Sequence, residues 1–178
     1  MKVNKNNIFA KECISLALIS LMKTKPISEI TVTEIVNKAG VSRMTYYRNY
    51  EVKEDILKDY FKTVLANFYD NEEYDDINTF GKFKNIKGSI NYFLKYKDFA
   101  LCLINANLTH ILLHCLNDYI INKAKRLNLD YNDIYLYAYS GALFNIYLEM
   151  VKGNNFNNFE IVGPKLERLA VLIKNASK

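Results

Sequence analysis

Along most of the chain, apolar residues recur every three or four positions, the spacing of one helix face. Nowhere do they alternate long enough to predict a strand. Phe9, Cys13, Leu16, Ala17 and Ile19 open the series and predict a first helix over residues 5–23, which Lys25-Pro26 ends. Further helical periods cover about 53–69, 81–96, 108–127, 131–152 and 159–175, with a short helix near 98–105. Proline occurs only at Pro26 and Pro164, each expected beside a helix boundary, and the acidic stretch Asp70 to Asp76 reads as a loop between two halves. No internal repeat or low-complexity tract interrupts the pattern. The fold class is all-α.

One segment, Thr31 to Lys53, is written more tightly than the rest. Thr31 followed three residues later by Glu34 is a capping box, in which the hydroxyl accepts from the amide of Glu34 and the carboxylate reaches back. The helix it opens turns Ile35, Val36 and Ala39 inward and stops at Gly40, which suits a left-handed backbone. Val41 can plug the corner, and Ser42 is placed to cap a second short helix beginning at Arg43. Two capped helices around a tight glycine turn make a helix-turn-helix. Its second helix carries Arg43, Thr45, Tyr47, Arg48 and Asn49, side chains that suit phosphates and base edges. A purely structural helix-turn-helix is the alternative.

Charge changes the picture by its placement. The formal net charge is +5, and residues 1–50 hold eight Lys and Arg against only Glu12, Glu29 and Glu34, whereas residues 51–178 carry sixteen of each sign. The whole excess therefore sits where a polyanion such as DNA would dock, although a chance asymmetry of this size explains the charge by itself equally well. Cys13, Cys102 and Cys115 are odd in number and without paired spacing, which suits reduced thiols in a cytoplasmic protein. The longest apolar stretch, Phe99 to Leu116, is broken by Asn105, Asn107, Thr109 and His110, so no membrane span is expected.

Residues 5–60 resemble the DNA-binding domain of the tetracycline-repressor (TetR) family. The resemblance rests on Thr31, the turn Ala39-Gly40-Val41-Ser42, Thr45, Tyr47, Tyr50, Lys53 and Ile56-Leu57. It implies a three-helix DNA-binding domain over residues 1–52 and a helical dimerisation and effector domain over 53–178. It further implies that Thr33 lies near a base edge or phosphate, and that Arg43, Met44 and Thr45 face the major groove. Ser42, Tyr47, Asn49 and Lys53 would hold phosphates. Met44 stands where the family often has a small residue, so its base preference does not transfer. Tyr46 replaces an aliphatic residue and is read as packing inward, as is Tyr50.

The second half is similar to the family more loosely. Tyr139-Ser140-Gly141-Ala142-Leu143-Phe144, with Leu148, Val151 and a stop at Gly153, resembles the subgroup related to dihydroxyacetone-kinase regulators. The small face Ala138, Gly141 and Ala142, with Leu166, Leu169, Ala170 and Ile173 of the last helix, is expected to pair with its copy in an isologous four-helix bundle. Packing within one chain is the alternative.

An effector pocket is expected among Tyr92, Phe93, Tyr96, Phe99, His110, Tyr137, Phe144 and Tyr147, although aromatics at helical spacing also build plain cores. His110 and His114 have a zinc-compatible spacing with Cys115 beside them, but no HExxH glutamate or second ligand pair accompanies them. They are read as core or pocket-wall residues, with no metal site. No glycine-rich phosphate loop, GxSxG or paired acids in a credible setting occurs, so neither catalysis nor a cofactor is expected. The reading is a homodimeric transcriptional regulator that binds an inverted-repeat operator in double-stranded DNA, as a repressor under the control of a small molecule or partner, and no enzyme is expected. A helical interaction module is the alternative.

Overall fold

The computed structural model describes residues 5–69, 82–128, 132–153 and 159–176. Within them every regular element is helical: α1 (Lys5–Met22), α2 (Val32–Ala39), α3 (Arg43–Asn49), α4 (Lys53–Tyr69), α5 (Phe83–Leu94), α6 (Lys97–Asn105), α7 (His110–Arg126), α8 (Asp133–Val151) and α9 (Phe159–Ala176), with a 3₁₀ turn at Ile27–Glu29. The expected loop from Asp70 to Asp76 lies outside the described residues. Left-handed residues close four helices: Gly40 after α2, Asn107 after α6, Asn128 after α7 and Gly153 after α8. Glycine and asparagine are the residues that enter this region at least cost, so these stops are local chemistry.

Two expectations about helix detail change. The first helix forms, but Phe9 and Leu16 face solvent, while Ala10, Ile14, Ala17, Leu18 and Ile19 are buried. Apolar residues surround most of α1, so spacing alone does not fix which side turns inward. Pro164 lies inside α9 rather than at its edge, so one turn of that helix lacks its amide hydrogen bond.

A single core runs across the boundary expected between residues 52 and 53. Ile14 and Leu18 of α1, Ile35 of α2, Tyr46 of α3, Leu57 and Phe61 of α4, Leu103 of α6, Leu112 of α7 and Leu148 of α8 belong to one buried cluster. Each fully buried aliphatic side chain contributes roughly 1.5–3 kcal/mol through apolar burial. Smaller clusters join α7 to α8 through Ile120 and Leu136, and α5 to α9 through Ile86, Ile90 and Leu166.

Polar links tie the first half together and join it to the second. Asp59 of α4 accepts from the Tyr50 hydroxyl at 2.7 Å and from the Lys11 ammonium of α1 at 3.0 Å. Burial, reinforced by the Asp59 carboxylate, pushes Tyr50 well above the usual tyrosine range. Lys23 at the end of α1 pairs with Asp98 at the start of α6 at 2.6 Å.

Candidate nucleic-acid interface and interior cavity

The helix-turn-helix is assembled by hydrogen bonds between near neighbours. The Thr31 hydroxyl accepts from the Glu34 amide at 3.3 Å, and Glu34 accepts from the Thr31 amide at 2.9 Å, closing the capping box. The Lys25 ammonium, then the Thr31 amide and hydroxyl, hold the Glu34 carboxyl down at about 2. Gly40 takes φ +67°, and the Val41 amide donates back to the Val36 carbonyl at 3.1 Å, turning the chain into α3. The Ser42 hydroxyl accepts from the Thr45 amide at 3.0 Å. This cap fixes where α3 begins and hence which of its side chains point outward.

α3 has an inner and an outer side. Tyr46 is 1% exposed and packs edge-on against Tyr50 at 6.3 Å between ring centres, whereas Met44 is 80% and Tyr47 62% exposed. Arg43 and Ser42 are also exposed, and Thr45 and Asn49 are half-buried. The Arg43 guanidinium donates to the Thr33 hydroxyl at 2.6 Å, which joins the first turns of α2 and α3 on one surface. Asn49 donates its side-chain amide to the Thr45 carbonyl at 2.8 Å, so part of its hydrogen-bonding capacity is spent within α3.

Lys53 has an internal task. Its ammonium donates to the Ile27 carbonyl and, at 2.9 Å, to the Ile30 carbonyl, tying the start of α4 to the 3₁₀ turn before α2. Sequence reasoning assigned Lys53 to phosphate and missed these carbonyls. Their only sequence signal is Pro26, which breaks the chain there and leaves carbonyls in need of a donor.

The second half holds a partly open cavity of about 100 Å³ between α4, α5, α7 and α8. Of the aromatics expected in a pocket, Phe93, Phe144 and Tyr147 border it. The others have different surroundings. Tyr92 donates its hydroxyl to the Val64 carbonyl at 3.2 Å and lies 3.3 Å from the Tyr96 hydroxyl. Phe99 is buried against Tyr60, 4.9 Å between ring centres. His110 and His114 are exposed on α7, and Tyr137 is exposed on α8. Asn85, Ser89 and Lys123 border the cavity and were missed. Lys123 had a signal: it continues the stripe Leu112, Cys115, Leu116 and Tyr119 along α7.

The expected pairing face is also redrawn. Ala138 is exposed and Gly141, Ala142 and Leu169 are half-buried, but Leu166 is only 4% exposed because it packs against Ile86 and Ile90 of α5. The Ile173 side chain lies outside the described residues. Exposed apolar residues nevertheless line both helices: Ile134 and Tyr137 on α8, and Ile161, Val171 and Leu172 on α9. No described helix is long and apolar enough to cross a membrane.

No protein-family model matches the chain, and no curated protein matches it. Among solved structures, one described as "Dihydroxyacetone kinase operon activator DhaS" shares its fold, with a TM-score of 0.61, 19% identity and coverage of 94% of this chain and 97% of that one. At that identity the likeness shows a shared all-helical fold.

Proposed function

We propose that the chain is a sequence-specific DNA-binding transcriptional regulator that acts in the cytoplasm as a homodimer on an inverted-repeat operator. The observation that carries this reading is the exposed surface formed by Thr33, Arg43, Met44 and Tyr47 on a doubly capped helix-turn-helix. A buried Tyr46 holds α3 against the core, leaving its outer side for the major groove. Arg43 suits a guanine edge, and Met44 and Thr45 suit a thymine methyl. Ser42, Tyr47, Asn49 and Lys53 are read as the phosphate contacts, Lys53 through the one ammonium proton that its two carbonyl bonds leave. The excess positive charge of the first fifty residues supports the same polarity. The fold is shared with a protein named as an operon activator, which agrees with a regulatory role.

One recognition helix offers few contacts, so two copies are expected, joined through α8 and α9. Ile134, Tyr137, Ala138 and Gly141 form one stripe on α8, and Ile161, Val171 and Leu172 form another on α9. The interior cavity is the candidate site for a small effector. An electrophoretic shift with DNA from the gene's own promoter tests the function. Gly141→Arg tests the seam, because a Cβ added at Gly141 meets nothing within 4 Å in the single chain. The variant is expected to be a folded monomer by light scattering and to bind half sites weakly. A dimeric variant with unchanged affinity would place the seam elsewhere.

A further inference from the structure

A second opening lies between α1 and α4 and shares no lining residue with the interior cavity. It is a partly open groove of about 530 Å³, within the size range of small-molecule sites. One wall runs along α1 from Ile8 to Leu16 and the other along α4 from Asp59 to Asn67, and Tyr96, between α5 and α6, borders it as well. Two such lengths of helix make a trough about 12 Å long. Ile8 is 53% and Leu16 50% exposed, and with the buried Val64 they give the groove apolar wall.

The polar groups of the groove divide into those already engaged and those left over. The Lys11 ammonium meets the Asp59 carboxylate at 3.0 Å, and Asp59 also accepts from the Tyr50 hydroxyl, so this pair is neutral and occupied. The Ser15 and Thr63 hydroxyls donate within their own helices, to the Lys11 carbonyl at 2.9 Å and the Asp59 carbonyl at 3.0 Å. Glu12 is different: its carboxylate is exposed and makes no hydrogen bond or ion pair with any described residue. The Tyr60 hydroxyl likewise has no hydrogen-bond partner among the described residues, although the residue is half-buried. Burial, then the nearby Tyr96 and Glu12, push that hydroxyl above the usual tyrosine range, so it keeps its proton and can still accept. Tyr92 gives its own proton to the Val64 carbonyl, so Tyr96 is the donor in their 3.3 Å contact and keeps its oxygen lone pairs. The groove is left with one uncompensated carboxylate and two phenols whose oxygens accept.

That set suits a cation with several N–H donors. An ammonium can bond a carboxylate and phenol oxygens together, and aromatic rings attract it, whereas a ligand carboxylate meets Glu12 as a like charge. We propose that the groove binds a small primary amine with an aliphatic stem, Glu12, Tyr60 and Tyr96 holding the ammonium and Ile8 and Leu16 holding the stem. Because its walls belong to α1 and α4, the bound amine joins the first helix of the chain to the helix that leads into the second half. The proposal is independent of the interior cavity and of DNA binding.

Titration of the full-length protein at neutral pH and low salt with hexylamine, hexanol and hexanoate tests it, since the three probes share a stem and differ in charge. Hexylamine is expected to bind about three- to tenfold more tightly than hexanol, the gain that a partly screened ion pair beside aromatic rings supplies. Hexanoate should bind more weakly than either, and added salt should narrow the gap between amine and alcohol. Glu12→Gln, at an exposed position, should bring hexylamine to the level of hexanol and leave hexanol unchanged. Leu16→Asn, also at an exposed position, should weaken amine and alcohol alike by removing apolar wall. Equal binding of hexylamine and hexanol, no binding of any probe, or an amine preference that survives Glu12→Gln overturns the proposal. Binding that Leu16→Asn leaves untouched places the stem elsewhere and overturns it too.

Discussion

The helix-turn-helix and the interior cavity are built at different ranges along the chain. Around α2 and α3 the decisive bonds join residues three to ten positions apart, Thr31 with Glu34, Ser42 with Thr45 and Thr33 with Arg43. The cavity gathers Phe61, Ser89, Lys123 and Phe144 from four helices. A surface fixed by neighbours keeps its geometry through local chemistry, whereas a cavity fixed by distant helices changes whenever any one of them shifts. The first arrangement suits a rigid reading head and the second suits a site that responds.

The contrast breaks most sharply at α4, which serves both regions. Leu57 is fully buried in the shared core, so Leu57→Ala is expected to cost about 2–5 kcal/mol, with both halves unfolding in one transition by urea denaturation. Separate unfolding of the first fifty residues would show that the two regions are energetically independent.

Lys53 sharpens the comparison, because it is the place where the helix-turn-helix is not purely local. Lys53→Met removes the ammonium donor from the Ile30 carbonyl and leaves the Ile27 carbonyl with the Ile30 amide alone, and is expected to cost about 1–3 kcal/mol of stability. The salt slope of DNA binding should also fall by about one. A lost stability with an unchanged slope would make Lys53 structural alone.

Arg43→Ala is expected to cost about 1–3 kcal/mol at particular operator positions and little on random DNA. Thr33→Val removes the hydroxyl that receives the Arg43 guanidinium and should blur preference at the same base pair, with Thr33→Ser restoring it. Equal losses on specific and random DNA would reassign Arg43 to the phosphates.

The smallest effect concerns acid. Glu34 is held at about 2 against an ordinary 4.5, so its contribution to stability is full above about 4.5 and is lost as pH falls towards 2. Thr31→Ala removes the capping hydroxyl, is expected to cost about 1 kcal/mol at neutral pH and should shrink that acid-induced loss. Thermal melts across this range measure both, and an identical pH profile in wild type and variant would contradict the capping account.

The same difference in range explains what the sequence made legible. Helix positions, the capping box, the Gly40 turn and the inward Tyr46 depend on near neighbours and could be read in order along the chain. The buried side of α1 could not, because apolar residues surround that helix. Leu166 shows the limit in the second half: its spacing fits a dimer face, but α5 arrives from far along the chain and covers it. Tyr137 shows the converse, an aromatic that fits a pocket by spacing and instead stands on the outer stripe of α8. Lys123 lay on a readable stripe, but its place at a cavity depends on α5, whose approach no local pattern records.

Selection of DNA from a random duplex library by the wild-type protein, followed by fluorescence anisotropy on the enriched sequence, tests the central claim most directly. The account predicts an inverted repeat with half-site centres about 34 Å apart or a multiple of it. It predicts binding roughly a thousandfold or more tighter than to random DNA, and weakening steeply with salt. Enrichment of no sequence, with equal affinity for every duplex, would contradict it.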